Sequence, residues 1–373
     1  MIRSYFLILS FHLLLSGLIS QDVMFYEPNQ IRGFLNPALT GLYGSLSATV
    51  TTKEQYFNTL NDFTTAGVSI EYSLPCPKVD FEIFYINDIE GAAHLRTHHV
   101  GGNFVYTIPF ETAHAYHNIR VGTKIQFTGK SIDWDRLVFS DQIDPKYNLL
   151  NSAGISNISS FEFPETDSRN RFTLGIGVIH RMSLGRVNKW ALTWGFAIDN
   201  YTNMFEGSEF DSLLDLEYND SRIVNKWSVY ISPEIPIIDF KSRYYGLRPS
   251  LAYLNEGSLS NLQVGIEFNF QKAYGVGFYV GTANFKNFDY DTKSVTYHVF
   301  FKILDTRDSQ VNLGLQYIQN FGGLSEVFGQ NIQLTLRYHL KYKGCSPVKV
   351  PGSTSCESFY QAGRVLYENI WIE

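Results

Sequence analysis

The stretch that decides the fold is Asn331-Ile332-Gln333-Leu334-Thr335-Leu336-Arg337-Tyr338-His339-Leu340-Lys341. Ile332, Leu334, Leu336, Tyr338 and Leu340 alternate strictly with Gln333, Thr335, Arg337, His339 and Lys341. A period of two puts the apolar set on one face of a strand, and the amides and positive charges on the other. Its length of about eleven residues is what a tilted strand needs to cross a bilayer. The stretch is also the last alternating run of the chain, where a membrane barrel closes on its first strand. The expected fold is all-β: a transmembrane antiparallel β-barrel over residues 45–343.

Composition agrees with that expectation. The 373 residues include 24 Tyr and 29 Phe, and only 18% are charged. Many aromatics with few charges suit interfacial girdles around an apolar outer band. A formal net charge of −6, without a basic run, argues against a nucleic-acid partner.

Residues 1–20 read as a secretory signal peptide. Arg3 supplies the positive start, Tyr5 to Leu15 the apolar core, and Ser16-Gly17-Leu18-Ile19-Ser20 the small residues before a cut at Gln21. Beyond it no run of about eighteen apolar residues occurs, so an exported chain of this kind crosses a membrane only as a closed barrel. Cys345 and Cys356 bracket a Pro/Gly/Ser loop and are candidates for a disulfide in an oxidising compartment, leaving Cys76 as the odd thiol. No C-x-x-C or Cys/His cluster suggests a metal, and none is assigned.

Fourteen strands are expected, at 45–52, 65–73, 79–87, 97–108, 118–127, 171–180, 189–200, 226–235, 243–253, 260–269, 274–283, 293–303, 310–318 and 331–341. An even number leaves both chain ends on one side of the membrane. The odd-numbered connections (53–64, 88–96, 128–170, 201–225, 254–259, 284–292 and 319–330) are long, and the even ones nearly all short. Long loops on one side and tight turns on the other are the mark of a membrane barrel, with the termini periplasmic and the long loops outside.

Inward-facing candidates are Glu71, Arg120, Lys124, Glu267, His298, Lys302, Arg337 and Lys341. Mixed charges of this kind suit a wet or plugged lumen. Residues 21–44, with Pro28, Asn36-Pro37-Ala38 and Gly41, are rich in turn makers and form a plug-like segment. Residues 344–373 are a C-terminal periplasmic extension. The connections 128–170 and 201–225 are acidic, but neither has the carboxylate spacing of an EF-hand.

Catalytic and metal chemistry find little support. His98 and His99 fall on opposite faces of one strand and cannot share an ion without a bulge. His94, His114 and His117 read as interfacial. No G-x-S-x-G or similar motif appears, so an enzyme is not expected and no cofactor is assigned.

Phe34-Leu35-Asn36-Pro37-Ala38-Leu39-Thr40-Gly41 resembles the N-P-A…G opening of proteins of the PorP/SprF family. In that family it follows a short Gln-rich start, to which Gln21-Asp22 with Phe25-Tyr26 is similar. Phe84-Tyr85-Ile86-Asn87-Asp88 resembles the family's strand end in Asn-Asp, and Asn103 to Phe110 its next strand. Family members stop on their final strand, whereas this chain continues about thirty residues.

The resemblance implies an outer-membrane component of the type IX secretion system. Such a protein assists export or surface anchoring of a secreted, adhesin-like partner, with links to gliding motility. Its partners would be outer-membrane lipid, the secreted cargo and secretion-system subunits. The alternative is a fatty-acid-transporter-like channel for hydrophobic or small solutes, which calls for an apolar interior; the inward residues look too polar for one. A general porin is a third reading.

Overall fold

The computed structural model describes residues 31–42, 45–57, 63–74, 78–91, 95–112, 114–144, 146, 149, 156–161, 168–184, 190–200, 225–240, 243–257, 259–270, 273–285, 290–306, 308–321 and 330–340. The expected leader 1–20, the extension 344–373 with Cys345 and Cys356, Cys76, His94 and Lys341 lie outside them.

Alternation becomes fourteen strands: β1 (Leu46–Phe57), β2 (Phe63–Leu74), β3 (Val79–Glu90), β4 (Leu95–Glu111), β5 (Ala115–Ser131), β6 (Ser168–Leu184), β7 (Trp190–Asp199), β8 (Lys226–Phe240), β9 (Arg243–Glu256), β10 (Leu259–Phe270), β11 (Tyr274–Phe285), β12 (Tyr290–Asp305), β13 (Ser309–Phe321) and β14 (Gln330–Leu340). Each pairs antiparallel with its neighbours in sequence, and β1 pairs with β14 to close the barrel. The closing register runs from Ser47 opposite His339 to Glu54 opposite Ile332. Thr51 and Thr335 meet side chain to side chain at 3.0 Å across this seam. Closure leaves no unpaired sheet edge, the condition for strands in hydrocarbon.

The two faces differ as the alternation demands. Along β2 and β3, Val68, Ile70, Tyr72, Phe81, Ile83 and Tyr85 are exposed, while Thr65, Ser69, Glu71, Asp80, Glu82 and Asp88 are buried. Apolar outside and polar inside is the inverse of a soluble sandwich, and it places the outer face against lipid. Exposed Tyr72, Phe81, Tyr106, Phe110, Trp190 and Tyr274 gather toward the barrel end that carries the even-numbered connections. That is the position of an aromatic girdle.

The strands run longer than the alternation alone suggested, and this corrects the connection lengths. The links expected at 53–64, 254–259 and 284–292 contract to 58–62, 257–258 and 286–289. The cause is that pairing continues into polar residues: Gly129, Lys130 and Ser131 pair with Asn170, Arg169 and Ser168. Asymmetry between the two ends therefore rests mainly on the connections 132–167 and 200–225. Both leave from the end opposite the start of β1 and the finish of β14.

Candidate functional site

The chemistry of the barrel is concentrated where residues 31–42 meet its inner wall. A helical turn (Arg32–Leu35) leads into a 3₁₀ turn (Pro37–Leu39). Asn36 caps the second turn, its Oδ1 accepting from the Ala38 N–H at 2.9 Å. Pro37 starts that turn without needing a donor partner. The N-P-A sequence is thus a compact corner, and the corner lies against the strands.

Two glycines make the close approach possible. A Cβ at Gly122 of β5 would stand 2.4 Å from the Ala38 nitrogen, and one at Gly177 of β6 2.1 Å from Asn36 Oδ1. Gly41 has φ +75, in the left-handed region that favours glycine, and leaves the corner beside Asp80.

Charged side chains then hold the backbone. Arg120 Nε donates to the Ala38 carbonyl at 3.0 Å; its Nη2 donates to the Thr40 carbonyl and to Asp80 Oδ2, the latter at 2.9 Å. Lys124 Nζ donates to the Phe34 carbonyl at 3.2 Å and pairs with Asp199 at 2.8 Å. Glu71 accepts from the Gly41 N–H at 2.8 Å, and Glu82 accepts from Thr40 Oγ1 at 2.6 Å and Asn103 Nδ2 at 2.7 Å. Ser228 of β8 donates to the Leu35 carbonyl at 3.0 Å. Backbone carbonyls removed from water are costly without donors, and these side chains supply them.

Apolar contacts complete the fit. Ile31 and Phe34 cluster with Phe84 and Ile86; Ala38, Leu39 and Leu42 cluster with Ile179 and Tyr230. Phe34 also meets His99 edge-on at 5.6 Å between centroids, with Lys226 Nζ 4.6 Å over its ring. The interior is therefore not uniformly polar, as the alternating sequence suggested. Two of its apolar clusters face residues 31–42.

The other inward candidates spread around the wall instead of converging. Glu267 accepts from Tyr279 Oη at 3.2 Å and pairs with Arg248, and His298 stands 3.9 Å from it. Arg337 Nε donates to Thr49 Oγ1 at 3.0 Å across the closing seam. Lys302 lies near the wall's end, 3.2 Å from Asp305. Of the Asn-Asp pair, Asp88 is buried and accepts from Thr65, while Asn87 is half-buried on the opposite face. Arg181 and Glu234 form a two-pronged pair at 2.8 and 2.9 Å that sequence reading passed over, because their strands are not neighbours. Parity alone shows that a residue faces inward, but not what it meets.

His98 and His99 fall on opposite faces: His99 bonds Thr128 at 2.9 Å inside, and His98 bonds Tyr85 at 2.9 Å outside. His117 stacks on His180 outside, and Trp194 Nε1 donates to His180 at 3.0 Å. Among the described residues no group of three or more His, Cys, Asp or Glu is placed to hold a metal ion.

Beyond the strands, the described residues of the connection 132–167 have their own order. Asp141 accepts from Ser159 Oγ at 2.9 Å and from the Ser160 N–H at 2.6 Å. The Ser160 backbone and hydroxyl bonds hold its carboxyl below the usual aspartate range.

A family model described as "Type IX secretion system membrane protein PorP/SprF" matches residues 20–338. The chain belongs to the PorP/SprF family. It is an outer-membrane β-barrel of that secretion system's membrane family. No curated protein matches this PorP/SprF member by sequence. Among solved structures it is similar to the toluene transporter TbuX of Ralstonia pickettii, at 10% identity and TM-score 0.38, over 87% of this chain and 96% of that one. It is also similar to a FadL homologue of Pseudomonas aeruginosa, at 9% identity and TM-score 0.35, over 86% and 96%. Omp33 of Acinetobacter baumannii matches at 11% and 0.36, over 80% and 99%. At such identities the likeness is one of fold alone.

Proposed function

We propose that this PorP/SprF barrel assists the export or surface anchoring of a partner secreted protein, adhesin-like in kind. The reading rests on family membership, and one observation carries it: four of the inward-facing charged side chains hold a piece of the chain itself. Arg120, Lys124, Glu71 and Glu82 are committed to residues 31–42. Groups so engaged are not left to line a path for a solute. In this reading residues 21–44 act as a plug, the connections 132–167 and 200–225 face outside, and the extension 344–373 meets secretion-system subunits in the periplasm.

The test is a deletion strain with quantitative proteomics of its cell surface and medium. Loss of one or a few secreted proteins from the surface, restored by the wild-type gene, is the expected result, with lost adhesion or gliding where the cargo is a surface adhesin. An unchanged surface proteome, together with a changed uptake of small solutes, would overturn the reading.

A further inference from the structure

The described residues of the connection 132–161 combine internal order with outward apolar side chains. Its arms are fastened together: Gln142 Nε2 donates to the Asn157 carbonyl at 3.2 Å, and Asn157 Nδ2 returns a bond to the Gln142 carbonyl at 2.9 Å. Asn157 N–H donates to the Leu149 carbonyl at 3.0 Å. Phe161 stacks on Phe139 at 4.7 Å and lies 5.8 Å from the buried Trp134. Beside the Asp141 bonds to Ser159 and Ser160, this is a loop with its own small core.

Yet Val138, Ile143 and Ile158 are left outside that core, at 54%, 52% and 91% exposure, with Leu149 at 40%. These side chains sit beyond the strand ladder and so outside the lipid-facing band. Apolar side chains presented on an ordered loop, with aromatic residues spent on stiffening it, are the makings of a protein contact.

Charge indicates the partner. In the sequence of 132–161, Asp133, Asp135, Asp141 and Asp144 outnumber Arg136 and Lys146, and Arg136 is paired with Asp133 at 2.9 Å. The connection 200–225 leaves from the same end and carries six acidic residues, 206, 209, 211, 215, 217 and 220, against Arg222. The two connections are acidic in sequence, which disfavours anionic lipid surfaces and favours a basic protein surface.

We infer that the described residues of the connection 132–161 form a docking face for a secreted protein whose contact surface sets aliphatic side chains among basic ones. Val138, Ile143, Leu149 and Ile158 make the apolar contact, and the surrounding aspartates select the partner's charge. The inference rests on the export and anchoring reading and specifies where it happens.

The experiment places a photo-crosslinking amino acid at position 158 of the full chain in living cells, with a second placement at the lipid-facing position 83 as control. The expected result is a discrete adduct from position 158 with a secreted protein, whose cross-linked peptide carries aliphatic residues flanked by Lys or Arg. Ile143→Asp in that background lowers the yield about tenfold, as burying and then losing one large aliphatic contact implies. Asp135→Asn with Asp144→Asn lowers it further and flattens its salt dependence. Heat-modifiable gel migration monitors the barrel in every variant. An adduct to lipopolysaccharide, to a second copy of this chain or to no protein overturns the docking inference. If deletion of the gene still removes the cargo, the export reading survives that failure; if deletion leaves the cargo in place, the reading beneath it has failed instead.

Discussion

Replacing Arg120 is the sharpest test of how residues 31–42 are held. The guanidinium is buried, with 2% exposure, and bonds the Ala38 carbonyl, the Thr40 carbonyl and Asp80. Arg120→Met keeps much of the apolar stem and removes all three bonds. Breaking a buried pair while its partner stays charged costs about 3–5 kcal/mol. Two carbonyls losing their charged donor add about 1 kcal/mol each, so the total is on the order of 5 kcal/mol. The main part of that cost is the stranded Asp80 carboxylate, whose remaining donors from the wall are uncharged hydroxyls such as that of Ser73. Asp80→Asn in the Arg120→Met background should therefore return about half of the loss. The assay is a double-mutant cycle by reversible urea unfolding in lipid vesicles, read by tryptophan fluorescence and by heat-modifiable gel migration. Hydrogen exchange at the amides of 38–42 gives a local readout. An Arg120→Met protein within about 1 kcal/mol of wild type, or no recovery from Asp80→Asn, would refute the assignment of the anchor to this pair.

Three other outcomes follow from the same structure. Gly122→Ala forces a methyl into the Pro37–Ala38 backbone, so about 1–3 kcal/mol of overpacking and faster amide exchange at 36–40 are expected; unchanged exchange would sink the close-packing argument. Ile83→Arg puts a charge on the lipid face at a residue that is 70% exposed, with a cost of about 2–4 kcal/mol near the bilayer centre; a variant of unchanged stability in vesicles would deny that this face meets lipid. Asp141 has a depressed folded-state value, so its contribution to loop order is present above the ordinary aspartate value of 3.8 and is lost as pH falls through the lower folded value. Amide exchange at 157–161 should stay slow from neutral pH down to that point and rise below it, while Asp141→Asn shows the faster exchange at every pH.

The barrel was legible because each strand states its parity in plain residues. Ile332 to Leu340 has an apolar residue at every second position, and β14 spans Gln330–Leu340. Strand ends were less legible, since Gly129-Lys130-Ser131 looks like a loop and is a ladder with Ser168-Arg169-Asn170. Interior chemistry was harder still. Phe81, Ile83 and Tyr85 are outward and Glu82, Phe84 and Ile86 inward, so an uninterrupted apolar run marks a strand that is apolar on both faces at that level. Such a run within an alternating barrel was the available sign that something apolar waits inside. Naming it as Ile31 and Phe34 needed the fold, because the two stretches are some fifty residues apart in sequence.

The placement of residues 31–42 also bears on the order of assembly. The segment precedes β1, and its described hydrogen bonds to strand side chains end on β2, β3, β4, β5 and β8, all in the first eight strands. Its partners on β2 to β5 thus follow within 30 to 90 residues as the polypeptide is delivered from its N-terminal end, and Ser228 of β8 comes 193 residues after Leu35. The early strands can curl around it as around a mandrel, and the last strands need only bring β14 to β1. A chain permuted so that this segment comes last would have to thread it into a finished cylinder, and would be expected to mature slowly even though every final contact is the same.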